Sequence, residues 1–483
     1  MSRFCINLII IPGLFIACLV SGSSAQAQPV MEIQQLLAFD GAAGDEFGFE
    51  AASAPARIVI GAPGDADGGT QSGAAYMFKV NLDGTWSFQQ KILPSDIMAN
   101  WFFGIELAIS TGFGPGANLM AAGVKSENTF FNSSGAVYIY SEGPFAVDPW
   151  VLNKKIFSPN PEFNGAYGQA VDIENDLLLV GAPGEGLAYI HQRHAGGSNN
   201  WGSIATLTPP APVFNVSAES VGISGDVAIV SDRGDNSAGS ESGAAFIYTK
   251  DAGGLNNWGF TKKLQATIPS AQDLFGISVD ISGDFVVVGA QGDDGQGNND
   301  GAAYLFMRDE GGADNWGVIK RLTAPDGYDA QFFGREVAID GDLVLVGTYS
   351  DHAEGNNAGA AYVFGRNVGG ADNWGLLQKL VASDAMAGDF FAQGIALTGE
   401  YVTCGVRLDD DNGMNSGSAR VFTINSLCPQ DLNGDGVVDT ADLGILLGSF
   451  GMSGIGDLNL DGVIDTADLG LLIAGFSATD CIP

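Results

Sequence analysis

Across 483 residues the chain carries 56 acidic and 20 basic side chains, a formal charge of −36 that argues against nucleic acid or an anionic membrane as partner. Its 70 glycines and 46% apolar content predict many short strands and tight turns rather than disorder. The length accommodates one large domain and one small one.

Residues 1–27 read as a secretory signal peptide: Arg3, an apolar stretch from Phe4 to Val20, then an Ala25-Gln-Ala27 cleavage site. Pro12-Gly13 interrupts the apolar stretch, which is short for a membrane span. A second reading makes Cys18 a lipidated N-terminus. Both place the mature protein outside the cell or on its surface, without a transmembrane segment.

From residue 28 to 424 the chain repeats one unit, most plainly from Phe275-Gly276 to Phe333-Gly334 to Phe391-Ala392. Each unit runs through a Phe-Gly start, an alternating segment, a Gly-Asp turn and an apolar strand ending in Gly-Ala-Pro or a variant. A polar loop, a Gly-Ala-Ala-Tyr-x-Phe strand and a Trp-containing turn into a last strand follow. The Gly-Ala-Pro equivalents number seven: Gly61-Ala-Pro63, Ala122-Gly-Val124, Gly181-Ala-Pro183, Ser231-Asp-Arg233, Gly289-Ala-Gln291, Gly347-Thr-Tyr349 and Gly405-Val-Arg407. Four short strands per unit predict an all-β, seven-bladed propeller. The seventh unit ends at Ile424 without a fourth strand, and Glu32–Asp40 matches Leu376–Asp384, so the segment 31–39 is expected to close the ring.

The Phe-Gly and Gly-Ala-Pro punctuation resembles the FG-GAP repeats of integrin α-subunit propellers and their bacterial relatives. The resemblance implies a propeller that presents loops to a ligand, and it serves binding proteins and enzymes alike. In integrins the loop after this punctuation holds calcium. Asp65, Asp67, Asp409 and Asp411 keep the first ligand positions here, while Gly69, Gly73, Gly413 and Gly417 replace later ones.

Other candidate chemistry is sparse. Glu50, Glu106 and Glu336 share one position after the Phe-Gly start, on a strand expected to line the channel, where they could pair as acid and base for glycoside cleavage. Trp201, Trp258, Trp316 and Trp374 recur in Asn-Trp-Gly turns and are expected to pack the repeat. Arg233-Gly-Asp235 reads as a chance tripeptide and Cys404 as a buried strand residue. No residue is assigned a catalytic role.

Two near-identical segments close the chain, Asp431–Asp442 and Asp457–Asp468. They read as calcium loops, with ligands Asp431, Asn433, Asp435, Val437 (backbone carbonyl), Asp439 and Asp442, and Asp457, Asn459, Asp461, Val463 (backbone carbonyl), Asp465 and Asp468. Each precedes a short helix whose apolar residues repeat at i, i+3, i+4, i+7: Leu443, Leu446, Leu447, Phe450 and Leu469, Leu472, Ile473, Phe476. Cys428 and Cys481 bracket the pair and are candidates for a disulfide clasp.

A duplicated half EF-hand of this kind, over residues 425–483, resembles the dockerin module of polysaccharide-degrading assemblies. That resemblance implies two bound Ca2+ ions and a cohesin-type scaffold or surface protein as partner, read by Thr440, Ala441, Thr466 and Ala467. The expected function is therefore a secreted, non-catalytic binding or structural protein. Its propeller would recognise protein or glycan, and its calcium-dependent tail would anchor it. The alternatives are a carbohydrate-active enzyme, a glycosyl hydrolase or lyase delivered by the tail, and an integrin-like adhesion protein.

Overall fold

The computed structural model describes residues 30–112, 117–143, 149–210, 218–295 and 297–424, and in the tail 432, 438, 440–451, 456 and 463–474. Seven four-stranded antiparallel sheets make up the main body, a seven-bladed β-propeller. The first blade runs outward through Ala51–Ala54, Arg57–Ala62, Ala74–Val80 and Trp86–Ile92. Successive inner strands are Glu106–Ser110, Ala170–Glu174, Val221–Ser224, Val279–Ser282, Glu336–Asp340 and Phe391–Thr398.

The second and third strands of each blade are apolar and almost wholly buried, as continuous runs such as Phe285–Ala290 require. Apolar clusters form mostly between consecutive sheets, so each blade is stabilised by its neighbours. The third and fourth strands are offset by a bulge in every blade, for example between Met77 and Phe78 and between Val363 and Phe364.

The punctuation has a physical cause. A Cβ on Gly61 would lie 1.9 Å from the Gly104 carbonyl of the next blade, so the Gly-Ala glycine and the next Phe-Gly glycine are in backbone contact. The same contact closes the ring, where a Cβ on Gly405 would meet the Gly48 carbonyl at 1.8 Å. In the divergent fourth blade Ala218 takes the glycine's place, at φ 68°, with its N–H donated to Ser231 O at 2.7 Å.

Strand Val30–Leu36 supplies the outer strand of the seventh blade. It pairs antiparallel with Ser418–Ile424, and Val30 faces Ile424. The long loops, joining second to third strands and one blade to the next, share one face, called the loop face below. Tight turns occupy the other face, and there the chain both enters at Val30 and leaves at Ile424.

In the tail, helices α1 (Thr440–Gly448) and α2 (Thr466–Ala474) pack through Val438, Leu446, Ile464 and Leu472, a core related by the internal duplication. The helical faces are narrower than the sequence pattern predicts. Leu443 and Leu469 pack against that core, whereas Leu447, Phe450 and Ile473 are exposed. Four core side chains suffice to join two helices of nine residues, and Phe450 lies beyond the end of α1. Residues 1–27, Cys428, Cys481, Phe476 and most of the loop ligands lie outside the described residues.

Candidate functional site: loop face, channel and tail

Each long loop is built on a carboxylate at its base. Asp65 accepts the backbone N–H of Asp67 at 3.0 Å and the Tyr76 hydroxyl at 2.9 Å, and Lys91 on the fourth strand lies 2.7 Å from both Asp65 and Asp67. Lys91 and Tyr76 also bind Asp40, from the loop entering the blade. Burial would raise Asp40, but hydrogen bonds from Lys91 and Tyr76 hold it below the ordinary carboxylate range.

The arrangement recurs with Lys155 on Glu127 and Asp96, Lys263 on Asp235, Arg321 on Asp293, and Lys379 on Asp351 and Asp326. In the seventh blade the cation changes strand. Arg420 stands at the tyrosine position and Gln35, opposite it, at the lysine position. Arg420 is fully buried and lies 3.1 Å from Asp409, 2.6 Å from Asp384 and 3.9 Å from Asp411. The four carboxylates that the sequence suggests as propeller calcium ligands, Asp65, Asp67, Asp409 and Asp411, are thus held by Lys91 and Arg420. These side-chain cations supply the positive charge that calcium would otherwise bring.

The tripeptide Arg233-Gly-Asp235 is part of the same scaffolding: Arg233 pairs with Glu219, and Asp235 with Lys263. Trp201, Trp316 and Trp374 are buried, and Trp258 packs beside the fourth-blade core, so these side chains hold blades together. Cys404 is free and buried, its thiol pushed up by desolvation and the nearby Glu32 charge. His191 is also structural: the Tyr167 hydroxyl lies 2.7 Å from its Nε2, and Nδ1 lies 3.1 Å from Trp201 O. Burial pushes it down to about 4, against that backbone hydrogen bond.

The inner strands enclose a central channel of about 630 Å³ that Glu50, Glu106, Asp172, Asp280 and Glu336 line. Burial, then the charge of Glu336, pushes Glu106 up to about 8, against Lys125 and Arg335. Burial, then the charges of Glu106 and Glu336, raises Glu50 well above the usual carboxylate range. Glu336 is raised by burial despite Arg335, which binds it at 3.0 Å. The charge of each of these carboxylates thus disfavours ionisation of its neighbours across the channel. Among the described residues no three His, Cys, Asp or Glu side chains converge closely enough to hold a metal ion.

Deeper in the channel the inner strands clasp one another, which the sequence reading misses. Asp172 accepts the N–H of Ile223 at 2.7 Å and Asp280 that of Ile339 at 2.8 Å, each one blade on. At the level of the glutamates, Ser220 and Ser278 accept from Val279 and Val337, again one blade on. Burial pushes Asp172 up to about 6 and Asp280 up to about 8, the latter with help from the Asp172 charge.

In the tail, Asp442 and Asp468 are fully buried at symmetry-related positions. Asp442 accepts the N–H of Leu432 at 2.7 Å and Asp468 that of Asp465 at 2.8 Å. From Asn425 onward the chain has nine aspartates and no Lys, Arg or His. Side chains of this segment therefore offer no cation to these carboxylates, and hard oxygen donors in this pattern fit calcium. Thr440, Ala441, Thr466 and Ala467 open the two helices, and Val463 is half exposed.

The FG-GAP repeat family matches residues 30–78, 258–306, 316–364 and 374–422. Each match begins on an outer strand and ends on the third strand of the next blade, so the sequence repeat straddles two blades. The chain therefore carries FG-GAP repeats within a seven-bladed propeller. Blades two and three fall outside these matches, as do the first three strands of blade four and the outer strand of blade one. No curated protein matches the chain. Among the described residues no helix is long and apolar enough to cross a membrane.

Proposed function

We propose that this is a secreted, non-catalytic binding protein: a propeller that presents its loop face to a ligand and is carried by a calcium-folded, dockerin-like tail. The observation that carries this reading is the exit of the chain at Ile424 on the turn face. An anchor attached there leaves the whole loop face accessible. The domains are residues 1–27, cleaved on export, the propeller 28–424, and the tail 425–483, clasped by Cys428 and Cys481.

In the tail, Asp431, Asn433, Asp435, Asp439 and Asp442 would hold one calcium ion with the Val437 carbonyl, and Asp457, Asn459, Asp461, Asp465 and Asp468 a second with that of Val463. The ions would neutralise carboxylates that otherwise repel one another, so metal binding and folding are coupled. Thr440, Ala441, Thr466 and Ala467 would face a cohesin-type partner.

The test is a pull-down from the source secretome and envelope with the full chain, in calcium and in chelator, beside Asp435→Ala/Asp461→Ala. A partner captured in calcium and lost in both controls supports the anchor. No partner, from protein shown to bind calcium, overturns it. Glycoside cleavage is a second reading, favoured by a Glu106 that stays protonated at neutral pH as a general acid must. It requires reducing-end release from a polysaccharide that Glu106→Gln abolishes.

A further inference from the structure

The second blade breaks the pattern of the loop face. In blades one, four, six and seven a glycine of the long loop lies under an alanine of the next connection: Gly69 under Ala99, Gly239 under Ala271, Gly355 under Ala387, Gly413 under Ala43. Backbone hydrogen bonds fix the correspondence. Ser72 donates to Gly69 O as Ser134 donates to Phe131 O, and Asn100 donates to Thr70 O as Asn164 donates to Asn132 O. Phe131 and Phe163 therefore stand where the other blades have glycine and alanine.

Both rings are exposed, Phe131 by 49% and Phe163 by 66%, and Phe130 beside them by 53%. Phe130 packs edge-on against Phe157 at 5.0 Å, which fixes its orientation. The backbone beneath is pinned by the rungs Asn164 to Asn132, Ala166 to Ser133 and Tyr167 to Ser134. The patch is thus built on a rigid base, and its rings face solvent.

Its charge also differs. Five of the other six loops between second and third strands expose a carboxylate: Asp67, Glu241, Asp294, Glu354 and Asp410. In the second blade the loop's carboxylate, Glu127, is fully buried, bound to Lys155 at 3.1 Å and to Thr129. Lys155 lies within 5.2 Å of the centroids of the Trp101, Tyr138 and Phe157 rings. What faces solvent is mostly aromatic and uncharged polar: Phe130, Phe131 and Phe163 among Asn128, Thr129, Asn132 and Asn164, with a single carboxylate, Glu162, at the edge beside Phe163 and bound to the Asn160 amide.

We propose that this patch binds a neutral polysaccharide. Pyranose rings present apolar C–H faces for stacking on the phenylalanines and rims of hydroxyls for the three amides. An anionic sugar would need a cation, and Lys155 already pairs with Asp96 and Glu127. An extended peptide would need a free strand edge, and the loop's rungs occupy its own N–H and C=O groups. This inference rests on the platform reading and names the ligand class for one blade.

The test is affinity electrophoresis of the full-length protein in gels containing xylan, mannan or a β-glucan, with alginate and pectate as anionic counterparts. The informative variant is Phe131→Gly/Phe163→Ala, because it restores the pair on which four other blades fold. Met386→Ala/Met414→Ala, on other blades, is the control. Retardation by a neutral polymer, weakened about tenfold or more in the first variant and unchanged in the second, supports the site.

Retardation equal in wild type and the Phe131→Gly/Phe163→Ala variant overturns the patch while leaving the platform standing. So does retardation by anionic polymers alone. No retardation, with a protein ligand captured on the loop face instead, overturns the polysaccharide and keeps the platform. Neither polymer nor protein bound overturns both.

Discussion

The side chain of Gln378 brackets the first residue of the closing strand: its Oε1 accepts the Val30 N–H at 3.0 Å and its Nε2 donates to the Val30 carbonyl at 2.8 Å. The amide thus stands in for a strand edge between the sixth and seventh blades. Gln34 brackets Trp86 and Gln90 brackets Trp150 in the same manner, so this clasp recurs around the outer rim. Gln378→Leu should cost about 1–2 kcal/mol by leaving a donor and an acceptor without partners. Deletion of residues 31–39 should cost far more, because the seventh sheet then loses a strand. Urea melts of the three proteins check the order, and a deletion variant as stable as wild type would refute closure by this strand.

Removal of a resident cation should expose how much the loops depend on it. Lys91→Met leaves the buried Asp65 facing Asp40 and Asp67 without a counter-charge, at a cost of about 3 kcal/mol. Calorimetry in chelator and in millimolar calcium should show the wild-type propeller transition unmoved by the metal. The variant's transition should rise with calcium, if the ion takes the ammonium's place.

The channel carboxylates make stability depend on pH with a definite sign. Glu106 binds its proton up to about pH 8 in the folded ring, against an ordinary value of 4.5. Between those values the folded state holds more protons than the unfolded chain, so this contribution is full below 4.5 and is lost as pH rises through 8. Glu106→Gln should therefore gain stability relative to wild type as pH increases from 5 to 9, by a few kcal/mol on the order expected for such a shift. Chemical denaturation at pH 5, 7 and 9 compares the two, and parallel profiles would remove Glu106 as the source.

Buried tryptophans should prove structural rather than sugar-binding. Trp374→Ala empties a site in the core shared by the fifth and sixth blades, at a cost of about 3–5 kcal/mol. Thermal melts should report that loss. Polysaccharide retardation measured below the melting point should not change.

Blade number and ring closure were legible because they are written as repetition: a Phe-Gly start, a Gly-Ala end and a stray N-terminal segment that matches Leu376–Asp384. The glycines themselves mark backbone contact between blades, as Gly61 and Gly104 show. The resident cations were harder to read, because Lys91 meets Asp65 and Asp40 only after folding. A signal existed nonetheless, a Lys or Arg at one place on the fourth strand, as in Lys91, Lys155, Lys263, Arg321 and Lys379. The inner clasp by Asp172 and Asp280 left no comparable trace, since the aligned residues of the other blades are Ala52, Ala108, Gly222, Ala338 and Ala396, which cannot accept a hydrogen bond through a side chain. The aromatic patch was hidden by the variability of the second loop. Phe131 and Phe163 become conspicuous only once the fold aligns them with Gly69 and Ala99.

The bracket at Val30 joins positions 348 residues apart along the chain. A growing polypeptide can complete six blades in order, each resting on the one before, while its first strand waits unpaired with an open edge. Such distant pairing is slow to find and leaves that edge open to other chains. The last strand to emerge, Ser418–Ile424, is the one that seals it, so a product shortened by even one strand at its end would remain an unfastened arc rather than a slightly smaller ring.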